Sequence, residues 1–141
     1  MAIQLKRSEP SDPGGPPPTL DLVVPAVPER LAQLREASRE FAVAHGFVDP
    51  GMVALAITEA CTSAVLHAPA DQPLALRLTG RTEDGRLVFV VVDKTPGPMP
   101  APAEQGLARL PIIASVADRV SVVDDGHGNR IRITFAAPAD A

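Results

Sequence analysis

The chain has 141 residues, a formal net charge of −4, one Cys, no Trp, no Tyr and sixteen prolines. That length supports one domain with one core, and a domain of this size folds without a disulfide or a structural metal. A lone Cys61 excludes an internal disulfide framework and a multi-Cys zinc site, and the negative balance argues against nucleic acid as the main partner. No apolar run reaches the length of a membrane span, and no apolar core follows the first charges as a secretory signal would require. The expectation is therefore a cytoplasmic protein.

Seven prolines precede residue 29, and the stretch Arg7 to Thr19 is Pro, Gly, Ser and charge with almost nothing to bury. Residues 1–19 are expected to be a disordered Pro-rich tail, residues 20–137 the folded domain, and residues 138–141 a second short tail. Leu20 to Val24 alternates and is rich in β-branched residues, which predicts a short strand. Pro28 and Glu29 suit a first helical turn, Leu31, Leu34, Ser38, Phe41 and His45 recur at helical spacing, and Gly46 closes the segment. Within that stripe Ser38 is the weak link. Asp49-Pro50 starts a second helix as N-cap and first residue, with Val53, Ala56, Ile57, Ala60, Ala64 and Val65 as its apolar stripe and Pro69 as its stop.

The second half changes period. Leu74, Leu76 and Leu78 alternate with polar or small residues, Glu83 to Arg86 reads as a turn, and Leu87 to Val92 is a dense apolar strand. A loop with Pro96, Pro98, Pro100 and Pro102 follows, then a short helix from Pro111 carrying Ile112, Ile113, Val116 and Ala117. Arg119 to Val123 and Arg130 to Phe135 make a last hairpin around a Gly-rich turn. The order strand, helix, helix, hairpin, helix, hairpin predicts an α+β two-layer sandwich: a mixed, mostly antiparallel sheet with three helices on one face.

Few residues stand out chemically. Glu59, Ser63 and His67 lie at i, i+4 and i+8 of the second helix, on a line separate from the Ala60/Ala64 stripe. They could face a ligand pocket, although on spacing alone a solvated edge is the plainer reading. Asp93 ends the most apolar strand, where an unpaired carboxylate is expensive; it either caps local amides or accepts from a ligand amine. Gly97 has a plain role in a turn, and Gly106, ahead of a helix, would let backbone amides approach a phosphate. His127 reads as an exposed turn residue and Cys61 as a small buried one.

Taken in order, these segments resemble the small anti-sigma factor and serine-protein kinase group of the GHKL (Bergerat-fold, histidine-kinase-like) ATPases. That group's helix motif E-x-x-x-N-A-x-x-H is followed by Glu59 to His67, its D-x-G-x-G by Asp93 to Gly97, and its R-G-x-G-L with a terminal A-D-R-V by Gln105 to Leu110 and Ala117 to Val120. The resemblance spans about Leu20 to Phe135. It implies a bacterial, cytoplasmic regulator of transcription in a stress response, with ATP and Mg2+ as cofactors. Its implied partners are a sigma factor and an anti-sigma factor antagonist, with homodimerisation, no direct nucleic-acid contact and no membrane. By the same resemblance Glu59 is the general base, Asp93 accepts from the adenine amino group, and Thr95, Gly97, Gly106, Ser63 and His67 line the nucleotide. Ser63 stands where the group has an asparagine that ligates Mg2+, while Thr95 and Ala108 stand where it has glycines. Two functions follow: an ATP-dependent serine/threonine-protein kinase acting on the antagonist, or a catalytically inactive module of the same fold that acts by partner binding alone.

Overall fold

A computed structural model of the chain describes residues 3–5, 19–47, 49–67, 74–93, 110–124 and 129–136. Its strands are β1 (Ile3–Leu5), β2 (Leu20–Pro25), β3 (Ala75–Glu83), β4 (Arg86–Asp93), β5 (Arg119–Asp124) and β6 (Asn129–Phe135). Its helices are α1 (Leu31–Ala44), entered through a 3-10 turn at Pro28–Arg30, α2 (Pro50–His67) and α3 (Leu110–Val116). The six strands form one sheet in the order β1-β5-β6-β4-β3-β2. Every pairing is antiparallel except β1 with β5, which is parallel. This is the mixed, mostly antiparallel α+β sandwich that the element order predicts.

One expectation changes. Ile3–Leu5, placed by composition in a disordered tail, pairs with Val120 to Val122 and extends the sheet past β5. Three residues carry too weak a local pattern to announce a strand; a free sheet edge supplies the reason for one. Residues 6–18 of the expected tail, and all of the expected tail at 138–141, lie outside the described residues.

Strand alternation sorts the sheet into two faces. Leu76 and Leu78 of β3, Leu87, Phe89 and Val91 of β4, Val120 and Val122 of β5 and Ile131, Ile133 and Phe135 of β6 are buried on the inner face. Against them pack Leu34, Phe41 and Ala42 of α1, Val53, Ala56, Ile57, Ala60, Cys61 and Ala64 of α2, and Ile113 of α3. Both helical stripes therefore face the sheet as their spacing requires, except at His45, which follows the end of α1 and is exposed. Ser38 is also fully buried, because its hydroxyl donates to the Arg35 carbonyl at 2.8 Å and so leaves no open donor in the core. Three phenylalanines replace the missing larger aromatics: Phe89 meets Phe41 and Phe135 edge-on, with ring centroids 5.5 Å and 6.1 Å apart.

The hairpin between β3 and β4 turns on Asp84 and Gly85 at φ 52° and 79°. Two consecutive left-handed residues match the right-handed twist of the strands they join, and Asp-Gly supplies them at little steric cost. That turn fixes the register Glu83 to Arg86, and the same register runs up to Leu76 opposite Asp93.

Candidate functional site

The candidate site lies where α2 crosses the sheet. α2 packs on β4 and β6 as well as on α1 and α3. Its apolar residues are not confined to one stripe: Met52, Leu55 and Leu66 are exposed, while the sheet-facing side is lined with alanines that bring the helix close. Thr58 and Thr62 return their hydroxyls to the carbonyls of Ala54 and Thr58, at 2.6 and 2.7 Å. Their polarity is thereby consumed within the helix.

Glu59 and Ser63 behave differently. Glu59 is half-buried, and Ser63, one turn later, is only 3 % exposed. The solvated edge that spacing favours does not hold at Ser63, which belongs to the packed interface. His67 is the last residue of α2, so the three positions keep their helical line. Asp93, the last residue of β4, is 8 % exposed and has the inward alternation of Phe89 and Val91. The structure thus brings Ser63 and Asp93 to the buried α2-sheet layer, with Glu59 more open to solvent. Glu59, Ser63 and Asp93 all make polar interactions. Thr95, Gly97 and Gly106 lie outside the described residues, as do Ala108 and His127.

Chemically this is a set of oxygen groups: two carboxylates and a hydroxyl. Asp93 suits a ligand amine, since a largely buried carboxylate at a strand end is a directed acceptor. Oxygen ligands also suit Mg2+, which binds through one or two carboxylates together with substrate phosphates and its own waters. Among the described residues no cluster of three or more His, Cys, Asp or Glu could hold a metal by itself. Cys61, adjacent to these residues on α2, is inert: burial pushes its thiol up to about 12. No helix among the described residues is long and apolar enough to cross a membrane.

The motif ending A-D-R-V has a structural role. Ala117 is buried, and Asp118 both donates its backbone N–H to the Thr134 carbonyl at 2.9 Å and accepts the Ala136 N–H at its carboxylate. Asp118 thereby fastens the start of β5 to the end of β6. Sequence alone gives no residue on the outer face of the sheet a chemical role. The signal was present in arginines spaced two or four apart along strands: Arg77 with Arg81, and Arg130 with Arg132.

Comparison with known proteins bears on the whole layer. A family model described as "Histidine kinase-like ATPase domain" matches residues 24–135. No curated protein matches the chain. Among solved structures, the RsbU and RsbW domains of Rv1364c from Mycobacterium tuberculosis share its fold, with a TM-score of 0.66 and 21 % identity over 88 % of this chain. The chain spans about a third of that protein's length, 34 % of it being covered.

Proposed function

The chain belongs to the histidine kinase-like ATPase family, and on that premise we propose that it is an ATP-binding regulator of the anti-sigma type, acting on a sigma factor and on an antagonist protein. The observation that carries the nucleotide reading is Asp93: a carboxylate 8 % exposed at the end of β4, on the same buried layer as Ser63. Such a carboxylate accepts from the exocyclic amine of adenine and rejects a base that presents a carbonyl there. In this reading Glu59, more open to solvent one turn before Ser63, takes the proton of an attacking serine hydroxyl from the antagonist. Ser63 and Glu59 offer the oxygens next to which Mg2+ would be held; when bound, the ion neutralises charge on the phosphates. The structural likeness to a chain containing an RsbW domain supports the partner class.

A second reading, partner binding without turnover, is favoured by Ser63 itself. Its hydroxyl is shorter than an asparagine amide and is buried to 3 % exposure, so it reaches less far toward a metal. Calorimetric titration with ATP separates the readings. Saturable heat that grows with Mg2+ and falls at least ~10-fold in affinity in Asp93→Asn is expected; no heat at millimolar nucleotide overturns ATP binding. Ser63→Asn is expected to strengthen the Mg2+-dependent part of binding. If phosphate transfer to a serine of the antagonist occurs and persists undiminished in Glu59→Ala, Glu59 is not the base.

A further inference from the structure

The outer face of the sheet, turned away from the helices, has no part in the nucleotide reading. Alternation and register place on it Arg77 and Arg81 of β3, Arg86 of β4, Arg119 of β5 and Arg130 and Arg132 of β6. Those are six of the thirteen basic residues in a chain of net charge −4. Among the described residues the carboxylates at the same face are Asp21, Glu83 and Asp84, the last in the β3–β4 turn. Between the arginines of β3 and those of β6 run Val88, Val90 and Val92 of β4. An acidic protein thus carries a basic face with an apolar centre line.

The pairing on this face is uneven. Asp21 is held by both arms of Arg77, from Nε at 2.9 Å and Nη2 at 2.7 Å, and the Arg77 fork holds its carboxyl below the ordinary range. Glu83 is shared between Arg81 and Arg132, the latter through long contacts of 3.3 and 3.4 Å. Among the described residues Arg86 and Arg119 have no carboxylate partner. Together with Arg132 and the hydroxyls of Ser121 and Thr134 they line a cleft of about 200 Å³, which Glu83 and Asp84 also line.

We propose that this face docks an acidic segment of a partner protein, with an Asp or Glu carboxylate of that segment seated in the cleft between Arg86 and Arg119. Charge complementarity selects the class, and three observations select a polypeptide carboxylate within it. The face already holds a carboxylate in the fork geometry that guanidinium favours, at Arg77 and Asp21. Glu83 and Asp84 in the cleft wall repel a phosphate dianion more than a single carboxylate. None of the four Phe side chains stands on this face to stack a base, since Phe41, Phe89 and Phe135 are in the core and Phe47 packs against it. The exposed Val23 and the half-buried Val90 and Val92 give such a segment apolar contact beside the charges, while Val88 is itself buried. The site lies on the side of the sheet opposite the candidate nucleotide layer, so it stands or falls without it.

The test uses the full chain and a short fluorescein-labelled poly-glutamate peptide, followed by anisotropy at low salt. Saturable binding is expected, weakened at least ~10-fold in Arg86→Gln/Arg119→Gln and unchanged in Arg35→Gln/Arg39→Gln, which removes equal charge from α1. Circular dichroism establishes that the variants fold, and Arg119→Lys, which keeps the charge and removes the fork, is expected to weaken binding to a lesser degree. Absence of saturable binding, or equal loss in both double variants, overturns the proposal. It is also overturned by tighter binding of a single-stranded oligonucleotide or an anionic lipid vesicle through the same two arginines. A dimer of the chain that dissociates in the Arg86→Gln/Arg119→Gln variant would replace the acidic partner with a second copy, and would overturn it as well.

Discussion

Cys61 shows how far one residue's environment can be read from its neighbours. It was legible in sequence as a small buried position on an alanine-rich helix, and the structure gives it no exposure at all. Burial raises its thiol from an ordinary 9.0 to about 12, so folding favours the protonated form. Its contribution to stability is then complete below about pH 9 and is lost as pH rises toward 12, with a slope approaching ~1.4 kcal/mol per pH unit. The chain has no Tyr to titrate in that window, so the effect stands clear of the commonest confounder. Urea midpoints measured on either side of that lower limit are expected to fall in the parent and to fall much less in Cys61→Ala. Ser63 and Ser38 were harder to read. A serine gives no signal of burial in a sequence, because whether its hydroxyl is satisfied depends on a carbonyl one turn away. Both are core residues, whereas Glu59, one turn before Ser63 on α2, retains the partial exposure expected of an edge.

At the scale of elements, local chemistry carried most of the information. Pro50 opens α2, the Asp84-Gly85 pair makes the hairpin turn, and the inner residues of β3 and β4 alternate as their sequence does. Gly80 is a case where the reason is tertiary. A Cβ there would lie 3.2 Å from ring carbons of Phe41 and Phe89 and 3.3 Å from Leu20 Cβ. Phe89 cannot retreat, because Phe135 stands against its other side. Gly80→Ala is therefore expected to destabilise by ~1–2 kcal/mol, as overpacking does, read as a shift of the urea midpoint. Phe41→Leu, which shrinks the more exposed of the two rings, is expected to recover part of that loss in the double variant; additive losses would show that the ring contact is not the cause.

For the molecule as a whole, sequence specified the class and left the sheet order open. Nothing local says that β6 inserts between β4 and β5, because strand neighbours are chosen by long-range packing. Of the candidate site residues, Thr95, Gly97 and Gly106 lie outside the described residues, whereas Glu59, Ser63 and Asp93 lie within them. The β1 pairing was illegible for a related reason: its warrant is the unpaired edge of β5, more than a hundred positions later in the chain. Removing residues 1–5 is expected to accelerate amide exchange in β5 and leave β3 and β4 protected; uniform exchange in both would mean that β1 adds nothing to the edge.

The position of β6 also sets the order in which the fold can assemble. β5 and β1 join the other strands only through β6, which is made after both. While the chain is being synthesised, β2, β3 and β4 can already pair with one another and receive α1 and α2, but β5 emerges with no partner in the growing sheet. The closing contacts, Ile3 beside Val120 above all, join the earliest-made segment to one of the latest, so they bear the largest loop-closure cost. An acidic protein that keeps this half of its sheet waiting has a period in birth when β5 and the unpaired edge of β4 are open to any chaperone or passing strand.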